Sequence, residues 1–364
     1  MPEAPNPKSR PNVPPPDWQY VSPSPPVYAE LDVTTNFSFL RGASHPDELV
    51  YAAAILGHAA VGVTDVNSLA GVVRAHEAAK KAGIRLCVGA RLRFTDAPDT
   101  LVWCIDRQGY ANLCRLLTTG KRRAAKGVCE LHLKDLLETP SGLLAAVAPR
   151  SINAEVIKIL DDTALCAAVA PLRDAFGERL SIAVSRLYEP ADRPTWRVAE
   201  KVSGAFSVPL LATNQVHYHT DQRRLLQEVL TCIRHGCVIR SAGHKLFPNG
   251  ERCLKAPAEM LHLFRDHPAA VRRSLAISER CVFSLDELRY QYPDEVVPAG
   301  MTPAAHLSNL SWAGAGQRYP QGVPEKVRRQ IMHELALIEQ MKIEAYFLTV
   351  HDLVRFARSR DILC

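Results

Sequence analysis

Seven short stretches of the chain carry apolar residues at alternate positions or in continuous runs, each bounded by turn residues: 28–33, 60–64, 84–89, 100–105, 143–148, 180–184 and 209–213. Runs of this length read as buried β-strands. Between several of them the apolar period lengthens to that of a helix, over 69–81, 110–119 and 194–202. A further helix is predicted from Ser44 as N-cap, with Pro46 in its first turn and Leu49, Ala52 and Ile55 on one face. Strands alternating with helices predict a largely parallel sheet, and about seven such units suggest a barrel of the TIM type.

After Gln222 only the helical period remains, over 223–234, 257–264, 268–281, 302–316, 324–341 and 345–359. The pattern divides the chain into a leader (1–26), an α/β domain (27–284) and a helical segment (285–364). The leader holds ten of the 26 prolines and cannot build a core, so it is expected to be disordered. Phe347, Val350, Leu353, Val354 and Ala357 share one side of the last helix, with no later element to cover them, which suggests missing sequence.

Composition narrows the picture. With 364 residues, 47% of them hydrophobic, the chain can bury a large core and more than one domain. A net charge of +6 suits a nucleic-acid partner without requiring one. Ten scattered cysteines without a CxxC pair point to reduced thiols in a cytoplasmic protein rather than to a zinc ribbon. No apolar run is long enough to span a membrane as a helix.

Polar residues at strand ends are the candidate site. Glu30, Asp32 and Thr34 alternate along the first strand, where a metal cluster would carry histidines. Asp65 ends the second strand, either as a ligand or as the N-cap of the next helix, and the neighbouring Val66 cannot be a ligand. Arg91 stands where a carboxylate ligand is wanted, and its guanidinium favours an anion or an ion pair with Glu30 or Asp32. Gln215, His217 and His219 follow the last strand. Basic clusters at Lys80-Lys81, Lys121–Arg123, Arg272-Arg273 and Arg328-Arg329 suit either a solvated surface or a phosphate backbone. There is no P-loop, Rossmann fingerprint, GxSxG or HExxH motif.

The segments AELDVTTNFSFLRGASHPDEL, VTDVNSLAGVVRAHEAAKKAG, LLATNQVHYHTDQRRLLQEVLTCIRHG, LDELRYQYPDEVVPAG and HELALIEQMKIEAYFLTVHDLVRFARSRDILC resemble, in order, the N-terminal part of bacterial error-prone DNA polymerase. That is a C-family enzyme, similar to the DNA polymerase III alpha subunit. The resemblance implies a PHP (polymerase and histidinol phosphatase) domain, a distorted β/α barrel, followed by the first, mostly helical part of the polymerase palm region. It marks Glu30, Asp32, Thr34, Asp65, Val66, Arg91, Gln215 and His217 as the ligand positions of the PHP metal cluster. Only Asp65 and His217 keep the family's residue, so no bound metal and no cofactor are expected in this chain.

The palm aspartates that hold Mg²⁺ in the complete polymerase would follow Cys364, so no catalytic residue can be matched here. The whole enzyme, a nucleotidyltransferase of DNA replication and repair, would act on damaged DNA with the sliding clamp and damage-response proteins. Weak DNA binding is what remains for this fragment. Two other readings compete: a free-standing PHP phosphoesterase or 3′–5′ exonuclease, and a non-catalytic scaffold.

Overall fold

A computed structural model describes Pro25 and residues 27–152, 157–159, 161–288 and 297–363. The proline-rich leader expected to be disordered, apart from Pro25, and the RYQYPDE segment (289–295) lie outside the described residues. The chain forms two compact units, one ending at Glu287 and one beginning at Leu288.

In the first unit β1 (Glu30–Val33), β2 (Ala60–Val66), β3 (Arg85–Leu92), β4 (Thr100–Cys104), β5 (Leu143–Val147), β8 (Leu180–Val184) and β9 (Leu210–Ala212) form one sheet in that order. A separate antiparallel ribbon, β6 (Arg150–Ile152) with β7 (Ile157–Ile159), interrupts the series. All seven predicted strands form, but the sheet is mixed. Strand β4 runs antiparallel to both β3 and β5, while the other neighbouring pairs are parallel. The short link between β3 and β4 leaves no room for the crossover helix a parallel pair needs. This corrects the TIM-type expectation: the barrel is distorted, and one strand is reversed. Its edges meet where Val33 bridges Val216 in parallel, with Thr34 N donating to Val216 O at 2.8 Å and Val216 N to Asp32 O at 2.9 Å.

Strand alternation sends side chains to two separate cores. The larger lies under the surrounding helices, α1 (Pro46–Leu56), α2 (Val72–Ala82), α3 (Arg107–Arg123), α4 (Leu133–Leu137), α5 (Asp162–Phe176) and α6 (Asp192–Phe206). The smaller fills the space between strands with Leu31, Cys87, Leu101, Trp103, Leu144 and Leu211. Among the later helices, α7 (Arg224–Arg234), α8 (Ile239–Ala242), α9 (Pro257–Leu263) and α10 (Pro268–Arg280), the last contributes Ile277 to this inner core. Trp103 is fully buried there and donates its indole N–H to the Leu31 carbonyl at 3.0 Å, so its one polar atom is satisfied.

The N-cap of α1 is His45 rather than Ser44. Glu48 accepts from the His45 amide at 2.9 Å, while the Ser44 hydroxyl is committed to His219. The second unit holds α11 (Pro303–Arg318), α12 (Glu325–Met341) and α13 (Glu344–Ser359), with α11 packed against both others. Among the described residues no helix is long and apolar enough to cross a membrane.

Candidate functional site at the barrel mouth

The C-terminal ends of β1, β2 and β3, the segment after β9 and the loop carrying Arg252 bring the polar strand-end residues together. Burial decides how each behaves. Asp32, 1% exposed, accepts from Arg91 Nη2 at 2.6 Å, and the Thr64 hydroxyl approaches its other oxygen at 3.3 Å. Arg91 also approaches Asp99 at 3.5 Å, and Arg93 reaches the second oxygen of Asp99 at 3.7 Å. Burial works against the Arg91 charge, but Asp32 and Asp99 outweigh it and raise its pKa. A guanidinium so placed stays charged, and it fills the space beside Asp32 where a cation would sit.

Glu30 is turned to other partners. It accepts from the Tyr28 hydroxyl at 2.7 Å, the Asp32 amide at 2.9 Å and the Asn214 amide at 3.0 Å. Burial nevertheless pushes its pKa up to about 8. Asp65 accepts from the Thr35 amide at 2.8 Å and from the hydroxyls of Ser38 at 2.6 Å and Thr35 at 2.8 Å. It braces the loop after β1 and does not cap α2, which corrects the N-cap alternative. Two glycines permit this: a Cβ at Gly71 would stand 2.6 Å from Asp65 Oδ2, and one at Gly42 would stand 2.2 Å from the Thr35 carbonyl oxygen.

Of the remaining sequence candidates, Thr34 contributes its amide to the barrel seam, and Val66 donates its amide N–H to the Ser38 hydroxyl oxygen at 2.9 Å. Gln215 adopts a left-handed backbone (φ 47°); its side chain donates to Ser185 at 3.1 Å and accepts from Arg252 at 2.5 Å. His217 and His219 are not a pair. His217 Nδ1 lies 2.8 Å from the Gln215 carbonyl, which makes it the donor, whereas His219 Nδ1 meets Ser44 Oγ at 2.7 Å. Burial, Arg252, Arg91 and Arg41 hold the His217 pKa well below the usual value, so the ring is neutral.

Asp99, Glu189 and Arg252 are parts of this network that sequence reasoning missed. Arg252 is fully buried, pairs with Glu189 at 3.0 Å and lies over the Phe247 ring. Asp99 had a usable signal: it immediately precedes β4 after a short link from β3, and a hairpin returns such a residue to the Arg91 end of the sheet. Arg252 sits in a non-repeating loop and had none.

These residues do not fit a PHP metal cluster. Among the described residues no three His, Cys, Asp or Glu side chains are grouped to hold a metal ion. Asp32 faces a guanidinium, the Asp65 oxygens are taken by amide and hydroxyl donors, and Val66 has no donor atom.

The curled mixed sheet and the helices around it form a distorted α/β barrel. The PHP domain family matches over residues 30–186, and the bacterial DNA polymerase III alpha NTPase domain family matches over residues 305–364. The chain is homologous to bacterial error-prone DNA polymerases. It is 48% identical to the error-prone DNA polymerase of Caulobacter vibrioides over 341 residues, covering 93% of this chain and 31% of that one. With the error-prone DNA polymerase of Bradyrhizobium sp. it shares 46% identity over 347 residues, covering 93% and 29%. The chain thus spans less than a third of the length of these relatives. A solved amidohydrolase from Chromobacterium violaceum shows a looser likeness, with a TM-score of 0.39 and 14% identity, over 52% of this chain and 87% of that chain.

Proposed function

We propose that this chain is the N-terminal part of an error-prone DNA polymerase. On this reading residues 27–284 form its PHP domain, and the palm region begins at residue 285. The barrel serves as a metal-free support, not as a phosphoesterase or 3′–5′ exonuclease. The observation that carries this is the 2.6 Å Arg91–Asp32 pair, because a buried guanidinium supplies internally the positive charge that a metal would bring.

The complete enzyme would perform template-directed synthesis across damaged DNA in the cytoplasm, with Mg²⁺ at its palm, the sliding clamp and damage-response proteins as partners. In this chain, weak salt-sensitive DNA binding through basic clusters is the expected remainder. Asp352 on α13 faces Arg355 at 3.1 Å, and Asp361 lies beyond the end of that helix, so the pair gives no basis for a shared Mg²⁺.

Two measurements test the reading. Elemental analysis after dialysis against Zn²⁺ and Mn²⁺ is expected to find well under one metal ion per chain, and primed template with Mg²⁺ and nucleotides is expected to give no extension product. Stoichiometric metal lost on His217→Ala, together with hydrolysis of a phosphodiester, would establish the phosphoesterase instead. Template-directed products abolished by Asp352→Ala would show that the chain is itself a polymerase.

A further inference from the structure

Helix α7 is packed in the reverse sense of its neighbours. Leu225, Val229 and Ile233 recur every four residues and form one apolar stripe. Among the longer described helices none divides apolar from polar residues more sharply. Such a stripe belongs against a core, as on α6, which buries Trp196, Ala199 and Val202. On α7 the buried residues are instead Gln227, Glu228, Thr231 and Cys232. Gln227 Nε2 donates to Thr231 Oγ1 at 3.0 Å and Arg224 Nε to Glu228 Oε1 at 2.8 Å, so the inner face carries its own polar contacts. The apolar stripe points outward, with Leu225 71% and Ile233 59% exposed.

A neighbouring loop extends this surface. Arg234, at the end of α7, donates through Nη1 to the Leu40 carbonyl at 3.1 Å. That bond ties the helix to the loop carrying Phe39, itself 80% exposed. Leu40 adopts a left-handed backbone (φ 57°), and a Cβ at Gly42 would stand 2.2 Å from the Thr35 carbonyl oxygen, so the path of the loop is tightly specified. Phe39 and the stripe are thus held on one unit as a defined apolar face.

We propose that the outer face of α7, with Phe39, docks the polypeptide that follows Cys364 in the complete polymerase. The inference rests on the reading of the chain as the N-terminal part of such an enzyme. The first support is length: the relatives carry more than two-thirds of their own length outside the matched region, and the polymerase III alpha family match runs up to residue 364. The second is area. An α-helix of 11 residues is about 16 Å long. Its stripe, with Phe39, offers on the order of 400 Å². Separate molecules bury about 800 Å² each in a stable complex, so a second copy or an independent protein needs more surface than this face presents. A tethered segment meets the face at an effective concentration near the millimolar range, and a small patch is then enough.

The test is hydroxyl-radical footprinting, read by mass spectrometry, of the full chain alone and of the same chain joined after Cys364 to the part of the Caulobacter vibrioides polymerase beyond its matched region. Leu225, Val229, Ile233 and Phe39 should be oxidised at least about fivefold more slowly in the joined protein, because a docked face excludes water. Val73, 60% exposed on α2, serves as the control and should react equally in both. Equal oxidation of α7 in the two proteins overturns the proposal. So does slow oxidation in the chain alone that is relieved by dilution, which would make a second copy the occupant. Should the joined protein fold poorly, the intact Caulobacter vibrioides enzyme is footprinted at the positions aligned with 225, 229 and 233, and free reaction there overturns the proposal equally. Primer extension by the joined protein is read separately: a protein that extends a primer while α7 stays exposed sinks the inference and leaves the polymerase reading standing.

Discussion

Trp103 and Leu353 both lie in apolar stretches of sequence, yet the first is fully buried and the second is 64% exposed. The contrast extends to their surroundings. In the barrel unit, strands are covered on two sides, by helices outside and by an inner core within. In the helical unit, α12 has no buried residue and α13 buries only Leu348, while Tyr346, Phe347, Val350, Leu353 and Phe356 remain exposed. An amphipathic period predicts that a helix wants a partner surface, but it does not supply one. Stability should therefore be concentrated in the barrel unit, and four measurements can break or sharpen that difference.

The largest effect is expected from matched arginine deletions. Arg91→Ala strands Asp32 in the interior and should cost about 3–5 kcal/mol by chemical denaturation. Arg355→Ala removes an exposed partner of Asp352 on α13 and should cost less than about 1 kcal/mol. Equal losses would erase the contrast. Next, amide hydrogen exchange should show β2, β3 and β5 protected at least about a hundredfold more than α12 and α13, since poorly covered helices open locally. Comparable protection would mean that the helical unit has a stability its exposed faces do not reveal.

A third effect is the pH response of the barrel unit. The Glu30 pKa is raised from 4.5 to about 8 on folding, so the unfolded chain loses its proton first. That contribution to stability is complete below about 4.5 and is lost as pH rises towards 8. His58 moves the other way, from 6.5 to about 4 through burial, so the unfolded chain gains its proton first. Its contribution is complete above 6.5 and is lost as pH falls towards 4. Denaturation curves should thus show both limbs, and Glu30→Gln should flatten the alkaline one; an unchanged limb would place its cause elsewhere. Smallest of all, Leu353→Ser should alter stability within about 0.5 kcal/mol while reducing self-association seen by light scattering. A larger loss would show that Leu353 packs against something after all.

Much of the fold was legible in the sequence, because alternation and turn residues mark strands locally. All seven strands of the main sheet were found within a few residues of their ends. The reversed direction of β4 was not, since a strand reads the same in either sense and only the length of the link betrays it. Helix α5 was also passed over; its alanine-rich sequence and internal Pro171 blur the period. At the mouth, the sequence left Arg91 open between an anion and an ion pair with Glu30 or Asp32; the structure pairs it with Asp32, across the intervening β2. Asp65 kept a residue suited to metal binding, yet the fold spends it on Thr35 and Ser38, which depends on loop geometry that Gly42 and Gly71 permit. The Arg252–Glu189 pair was beyond reach from spacing alone: the two residues come from separate loops 63 positions apart.

The seam of the barrel has a consequence for synthesis in the cell. Asn214 donates its amide to Glu30, 184 positions earlier, and Val216 bridges Val33 beside it. At ribosomal speeds of about 5–20 residues per second, β1 waits roughly 10–40 s for the segment that completes its edge. Throughout that interval one side of the first strand carries unpaired backbone donors and acceptors, a template for pairing with other chains. Closure of the barrel at this seam therefore comes late in translation, and the free edge of β1 stays open to misassembly until residues 214–216 have left the ribosome.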